Sequence, residues 1–326
     1  MRFNKNILDI DPENVFQEIC EFTRKVVFDE FKKEGVVVGL SGGIDSSLVS
    51  TLSVKALGKE NVLGVILPEK ESNPISQAYA NRLAKKLEIR TETINITPAL
   101  ESLRSYEKRN LVVKKVFPEF SEDHRFKIGL PQNLLDSSRY NFFILKIIDK
   151  EGNEKTARLN KDQLLEMVAA TDMKQRMRMI HLYYFAEKNN YLVAGTTNKT
   201  EYSQGFFVKY GDGGVDFEPI AHLYKTQVYQ LARYLDIPQE IIKRTPSPDT
   251  YSAPVSDQEF FFCLPYDLLD LLLYAWEHKI PRSEIEQVLD LKKEQIERAF
   301  KDFESKMNAT AHAAKLPPTL SPVFGF

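Results

Sequence analysis

The stretch that most constrains this chain is Gly35-Val-Val-Val-Gly-Leu40 running directly into Ser41-Gly-Gly-Ile-Asp-Ser-Ser47. A short β-branched run without polar alternation reads as a strand buried on both faces, the pattern of a parallel sheet covered by helices. The glycine turn that follows opens a helical stretch to about Leu57. Gly42 and Gly43 carry no Cβ to obstruct a ligand. Backbone N–H groups can therefore converge on a phosphate at the helix start, where the dipole also favours an anion. Ser41, Ser46 and Ser47 add hydroxyl donors. Asp45 is out of place in an anion site unless a divalent cation bridges it to the phosphates. A bare Gly-Gly turn would be a plain connection with Asp45 or a serine as N-cap. The full string Ser-Gly-Gly-x-Asp-Ser, delivered by Val-Val-Val, favours the phosphate reading. It is not a Walker A loop, which ends in Gly-Lys-Ser/Thr, nor the Gly-x-Gly-x-x-Gly dinucleotide fingerprint.

The rest of the chain extends the same pattern. Val15, Ile19, Phe22 and Val26 are spaced as one face of an amphipathic helix ending before Gly35. Residues 61–67 predict a second strand. Residues 73–87 predict a helix with Ala80, Leu83, Ala84 and Leu87 inward, and 90–96 a third strand. Strand and helix alternate, so right-handed crossovers and a mostly parallel, doubly wound α/β sheet are expected. The alternation pauses over an insertion at about 102–171. There a strand from Asn141 to Ile148, a Gly152 turn and a strand over 154–159 predict a β-hairpin. Helix resumes at 172–188, residues 191–194 form a fourth strand, and 195–218 read as loop. Helices are expected at 223–235 and 266–278, with one or two more over 283–306. A tail containing Pro317, Pro318 and Pro322 should be extended. One domain, with a helical C-terminal part over about 257–306 and a tail from 307, accounts for the whole chain.

Composition removes several functional classes. Forty-four Lys and Arg against 46 Asp and Glu give a net charge of −2, unlike a protein that coats a nucleic-acid backbone. The longest apolar runs, such as 268–275, fall short of the ~18 residues of a membrane span. Residues 1–12 lack a secretory apolar region. Cys20 and Cys263, the only cysteines, have neither metal-ligand spacing nor a disulfide framework. A cytoplasmic protein with no nucleic-acid or membrane partner is expected.

The glycine-rich string resembles the pyrophosphate loop of the N-type ATP pyrophosphatases, which release pyrophosphate from ATP and transfer AMP to an acceptor oxygen. Downstream strings narrow the resemblance. Arg176-Met-Arg-Met, Leu182-Tyr-Tyr, Leu192-Val-Ala-Gly-Thr-Thr-Asn198 with Glu201, and Phe206-Phe-Val-Lys-Tyr-Gly-Asp-Gly213 are similar to NAD synthetases. So are Asp216, Pro219-Ile220 and Leu223-Tyr-Lys-Thr-Gln-Val228. These matches run in the family's order from about Gly35 to Ser247. Pro265-Tyr-Asp and the long insertion resemble a larger branch of about 330 residues. The resemblance implies an adenine nucleotide alpha-hydrolase-like fold.

That resemblance implies roles. Gly39, Leu40, Ser41, Gly42, Gly43, Ile44, Asp45 and Ser46 would hold ATP phosphates, with Thr196, Lys225 and Ser247 completing the ATP site. Asp45 and Glu201 would bind Mg²⁺. Arg176, Lys209, Asp216 and Lys315 would contact deamido-NAD⁺. Asp45, Lys225 and Asp216 would be the catalytic set. Three departures stand out: Asp172 replaces a frequent Asn, the C-terminal His-Lys pair is represented by His312-Ala-Ala-Lys315, and the insertion is longer than in compact members.

The implied reaction joins ammonia to deamido-NAD⁺. A carboxylate resists nucleophiles because it is negative and oxide is a hopeless leaving group; adenylation replaces the oxide with AMP. Mg²⁺, Lys225 and loop N–H groups would stabilise charge as pyrophosphate departs, and Asp216 would assist ammonia. Competing readings are a tRNA-modifying ATP pyrophosphatase, which predicts a basic surface, and a catalytically silent nucleotide-binding protein, which predicts loss of Asp45, Glu201 or Lys225. The family implies a homodimer. Neither Cys20 nor Cys263 sits like a glutaminase nucleophile, so ammonia is expected to be used directly unless a separate glutaminase subunit supplies it.

Overall fold

Alternation of side chains along three short buried strands sets up two separate cores, one on each side of a parallel sheet. The computed structural model of the chain describes residues 2–130, 134–135 and 142–320. Helix α1 (Pro12–Arg24) starts where Asp11 accepts from the backbone N–H groups of Glu13 and Asn14, with Pro12 at the first helical position. It continues through a wider turn, Lys25–Glu30, and ends before Gly35. Ile19 and Val26 are buried as expected, but Phe22 is 44% exposed. Cys20 and Thr23 take the inner positions instead, and the Phe22 ring leans on Phe217 at the flank, 6.2 Å between centroids.

The βαβ run is β1 (Gly35–Gly39), α2 (Ile44–Leu57), β2 (Val62–Ile66), α3 (Pro74–Leu87) and β3 (Arg90–Thr93). The pairs β1–β2 and β2–β3 are parallel. Ala80, Leu83 and Ala84 are buried and Leu87 packs partly against the same core. Strand β3 stops at Thr93, short of the expected Ile96, and is exposed along its length as the sheet edge. Short edge strands are a common protection against pairing with another chain.

The insertion contributes α4 (Thr97–Ser102), α5 (Ser105–Val116), β4 (Arg125–Gly129), β5 (Ile144–Ile148) and β6 (Glu154–Arg158). The expected hairpin is β5–β6, with Leu145 opposite Ala157. It is joined by β4, which pairs antiparallel so that Phe126 faces Ile147. The result is a three-stranded sheet rather than a hairpin. Asn141, the expected first residue of that hairpin, lies outside the described residues.

Helix α6 (Lys161–Asn189) begins well before the expected Asp172. Asn160 and Gln163 satisfy each other's backbone N–H groups in a capping box at its start. It leads into β7 (Tyr191–Ala194), which pairs parallel with β1 and gives the order β3-β2-β1-β7. Val36, Val38, Leu192 and Ala194 face the core under α1 and α2. Val37, Leu63, Val65 and Val193 face the core shared with Phe185 and Ala186 of α6. The doubly wound α/β expectation holds.

Residues 195–218 are not all loop, because α7 (Lys199–Gln204) forms there and ends at Gly205 with φ +70°. The chain continues through α8 (Lys225–Tyr234), α9 (Gln239–Ile242), α10 (Tyr266–Glu277), α11 (Arg282–Leu289) and α12 (Lys293–Thr310). The last three enclose their own core of Leu269, Leu272, Leu273, Ile285, Ile296, Phe300 and Phe303. Helix α12 runs to Thr310, past the expected end of the helical part at 306, and residues 316–319 have no regular structure; Pro322 lies outside the described residues. Among the described residues no helix is long and apolar enough to cross a membrane.

Candidate active site

Strand β1 lies between β2 and β7, so the chain leaves β1 in one direction and later returns on its other side. In open parallel sheets the crevice beyond the strand ends at such a switch point is where ligands bind. The Ser41 turn leaves β1 there, and Gly195-Thr-Thr-Asn198 leaves β7 beside it. The two turns meet where Asn198 Nδ2 donates to Asp45 Oδ1 at 2.9 Å.

Gly42 has φ +71°, and a Cβ there would lie 2.2 Å from the Ser76 carbonyl oxygen. Only glycine makes that turn without strain. Gly43 occupies the N-cap position of α2 with no side-chain cap, which leaves helix-end N–H groups for an anion. Ser46 Oγ donates to the Gly43 carbonyl at 3.1 Å and lies 2.9 Å from Ser41 Oγ. Ser47 Oγ donates to the same carbonyl at 2.7 Å. Arg244 Nη1 donates to the Gly42 carbonyl at 3.3 Å and its Nη2 to Ser76 Oγ at 2.8 Å. Ser247 is exposed in the loop after Arg244, and its Oγ accepts from the Asp249 N–H. Asp249 then accepts from Ser76 Oγ. This chain of bonds seats the Ser247 loop against the phosphate turn. Thr196 is half-buried between β7 and Asn198.

Lys225 is 1% exposed at the first turn of α8. Its Nζ donates to Asp45 Oδ2 at 2.6 Å and to Glu201 Oε1 at 3.2 Å. Burial works against the lysine charge, but Asp45, Glu201 and Asp257 outweigh it and hold its pKa well above the ordinary value. Glu201 is pushed up to about 8 by burial, and the charges of Asp45 and Asp257 add to that while Lys225 opposes it. Carboxylates outnumber cations in this cluster.

A second group gathers along α6. Arg176 is exposed, donates from Nε to the Lys209 carbonyl at 3.3 Å, and has Asp172 Oδ2 at 3.9 Å from Nη2. Burial pushes Asp172 up to about 6. Lys209 Nζ donates to the His312 carbonyl at 3.0 Å, which brings the C-terminal tail over this loop. Lys315 is exposed farther along that tail. Asp216 accepts from the Val193 N–H at 2.7 Å and from the Tyr183 hydroxyl at 3.1 Å, so it ties α6 to β7.

Several residues around Lys225 carry no local motif. Thr200 Oγ1 accepts from the Lys225 N–H at 3.0 Å and donates to Asp270 Oδ1 at 2.6 Å, while Asp270 Oδ2 takes the Thr226 N–H at 2.8 Å. This bracket fixes the start of α8. Asp270 could have been noticed as the one acid inside the apolar run 268–275. Asp257, buried beside Lys225, had no such signal. Glu218 accepts from the Thr197 N–H at 3.1 Å, and burial pushes it up to about 8. Cys20 and Cys263 are both buried and unpaired, and burial raises both thiol pKa values.

The family model for NAD synthase matches residues 15–119 and 144–317. An NH₃-dependent NAD⁺ synthetase from Mesorhizobium japonicum is 42% identical over 319 residues, 98% of this chain and 99% of its own length. Among solved structures, NMN synthetase from Francisella tularensis superposes with a TM-score of 0.65 at 25% identity, covering 97% of this chain and all of that one. An NH₃-dependent NAD synthetase from Campylobacter jejuni superposes with a TM-score of 0.63 at 25% identity, covering 96% of this chain and 100% of that one. A phosphate-ready turn, a charged lysine facing it and this extent of matching lead to one assignment: the chain belongs to the NAD synthase family.

Proposed function

We propose that this chain makes NAD⁺ by amidating deamido-NAD⁺ with ammonia, using ATP and releasing first pyrophosphate and then AMP. The observation that carries the reading is the Asp45–Lys225–Glu201 triangle at the switch point, set against an uncapped helix start.

Mg²⁺ fits the residues present. Asp45 and Glu201 offer hard carboxylate oxygens in a cluster where carboxylates outnumber cations, and burial, with the Asp45 and Asp257 charges adding to it, makes Glu201 resist ionisation. Among the described residues no three His, Cys, Asp or Glu side chains converge into a cage. That suits Mg²⁺, which is usually held by one or two carboxylates plus substrate phosphates. Bound there, it would neutralise charge on the triphosphate.

The chain's own groups account for the remaining steps. The Gly42–Ser46 N–H groups would cradle the phosphates, with Ser41 and Ser46 hydroxyls turned to them, while Thr196 and Ser247 border the nucleotide. Lys225, kept charged by its neighbours, would stabilise pyrophosphate as it leaves the α-phosphorus of ATP, displaced by the deamido-NAD⁺ carboxylate oxygen. Arg176, Lys209 and Lys315 would pair with the phosphates of deamido-NAD⁺. Asp216, oriented by Val193 and Tyr183, would present its free lone pairs to the nicotinoyl end and to ammonia. We also propose a cytoplasmic homodimer. Ile180 and Tyr184, 52% and 56% exposed on α6, offer apolar area to a second copy. Neither buried cysteine suits a glutaminase nucleophile, so glutamine would serve only through a separate subunit.

The test is NAD⁺ formation from deamido-NAD⁺, ATP, Mg²⁺ and ammonia by the purified chain, with one AMP and one pyrophosphate per NAD⁺. Nicotinate mononucleotide in place of deamido-NAD⁺ separates the dinucleotide from the mononucleotide reaction. Turnover of the mononucleotide alone would overturn the substrate assignment.

A further inference from the structure

Asp257 has an unusual setting for a carboxylate. It is 4% exposed, and one oxygen, Oδ2, accepts from the Tyr266 hydroxyl at 2.9 Å. The other, Oδ1, is buried without a hydrogen-bond partner among the described residues. A buried acceptor left unsatisfied costs stability, and native proteins keep few of them without a functional reason. The Tyr266 ring that grips this carboxylate lies with its centroid 5.3 Å from Lys225 Nζ. Asp257 thus belongs to the surroundings of the buried lysine although it forms no ion pair with it.

The lysine's counter-charges are otherwise Asp45 and Glu201. Both are the residues that would turn to Mg²⁺ and triphosphate under the proposed amidation, on which this inference rests. A buried lysine whose partners are taken by a cation faces the desolvation penalty alone. Asp257 comes from a different element, the turn Gln258–Phe262 and its preceding residue, and Tyr266 begins α10. Neither sits on α2 or α7, so neither needs to move with Asp45 or Glu201.

We propose that Asp257, held by Tyr266, is a positioning residue for Lys225: it is the counter-charge that stays with the lysine when Asp45 and Glu201 engage the nucleotide, and its Oδ1 is the acceptor the ammonium group then takes. The C-terminal helices thereby aim the lysine at the departing pyrophosphate.

Asp257→Asn keeps an acceptor for Tyr266 but removes the charge and replaces the second oxygen with an amide donor, whereas Tyr266→Phe keeps the ring and removes the grip. In the full chain, both should melt within a few degrees of the parent. Each should weaken MgATP binding measured by calorimetry without turnover, and lower deamido-NAD⁺-dependent exchange of pyrophosphate into ATP by roughly 10–100-fold, the size typical of outer-shell partners. KM for ammonia should stay put. The deciding readout is a double-mutant cycle: on a Lys225→Met background, Asp257→Asn should change MgATP affinity less than twofold. Equal losses on both backgrounds, or unchanged MgATP affinity in a folded Asp257→Asn protein, would overturn the role. If the parent binds MgATP but supports no exchange with deamido-NAD⁺, the amidation reading fails, and the calorimetric cycle still decides Asp257.

Discussion

Asn198 and Asp45 join the two halves of the site: the Asn198 side-chain nitrogen donates to Asp45 Oδ1 at 2.9 Å. The same asparagine caps α7, its Oδ1 accepting from the Glu201 N–H at 3.1 Å, while Glu201 Oε2 accepts from the Asn198 N–H at 3.3 Å. One side chain therefore sets the spacing between the two carboxylates assigned to the metal. Replacing it with alanine should cost about 1 kcal/mol in unfolding free energy, the usual worth of an N-cap. Activity should fall much further, with a raised Mg²⁺ requirement. Asn198→Ser restores a cap but not the reach to Asp45, so it should recover stability without recovering the Mg²⁺ response. Full recovery of both would remove Asn198 from the metal geometry.

Asp45→Asn and Glu201→Gln test the metal pair directly. Neither change alters shape, and each removes one hard anionic ligand. Turnover at limiting Mg²⁺ should drop at least ~10–100-fold, with partial recovery at high Mg²⁺. Full activity of either variant at limiting Mg²⁺ would remove that residue from the metal assignment.

The phosphate turn gives a contrast between adjacent glycines. Gly42→Ala meets both a left-handed backbone and the Ser76 carbonyl at 2.2 Å, so it should destabilise by at least ~1–2 kcal/mol and raise KM for ATP. Gly43→Ala meets only Ser41 Oγ at 3.2 Å, a hydroxyl that can rotate, and should be far milder in stability. Equal penalties at the two positions would mean that the Gly42 backbone relaxes.

Glu218 yields a pH test. Its carboxyl titrates near 4.5 in an unfolded chain but at about 8 in the folded one, because burial disfavours the charged form. Between those values the folded state holds more protons, so this group makes stability fall as pH rises, until the fall ends above the folded value. Glu218→Gln resembles the protonated form and can still accept from the Thr197 N–H. The melting temperature of the variant minus that of the parent should therefore widen steadily from about pH 5 to about pH 8. A pH-independent difference would assign Glu218 an ordinary pKa.

The parts of this site legible in the sequence were those made within one segment. Ser41 to Ser47 read as a phosphate turn because strand, turn and helix are contiguous, and the packing of Val36, Val37 and Val38 follows from composition alone. Lys225 and Glu201 were marked only by resemblance, since a lone lysine or glutamate in a polar stretch says nothing about what faces it. Asp257 was invisible because its meaning lies in Tyr266 and Lys225, which the fold brings to it from other elements. Strand β4 escaped for a similar reason. Arg125–Gly129 offers only Phe126 and Ile128 as an alternating pair, too short a signal until β5 supplies the partner. Phe22 was misplaced inward because helical spacing identifies a face but not its flank.

The tail supplies the last test. Helix α12 ends at Thr310, whose side chain sits where a Cβ on Gly205 would be, 1.9 Å from that position. Immediately beyond it, the His312 carbonyl receives Lys209 Nζ. Truncation after Ala309 would remove both contacts together with Lys315 and so mix two effects. Truncation after Ala313 keeps the Thr310 packing and the Lys209 bond and removes only the exposed continuation that carries Lys315. If Lys315 contacts deamido-NAD⁺, the shorter cut should leave the melting temperature unchanged and raise KM for deamido-NAD⁺ while sparing KM for ATP. Lys315→Ala in the full chain should reproduce that selectivity. The longer cut should add a loss shared with Lys209→Ala, because both free the 206–213 loop from the tail. If the cut after Ala313 leaves KM for deamido-NAD⁺ unchanged, Lys315 has no part in substrate binding, and the tail acts through His312 alone.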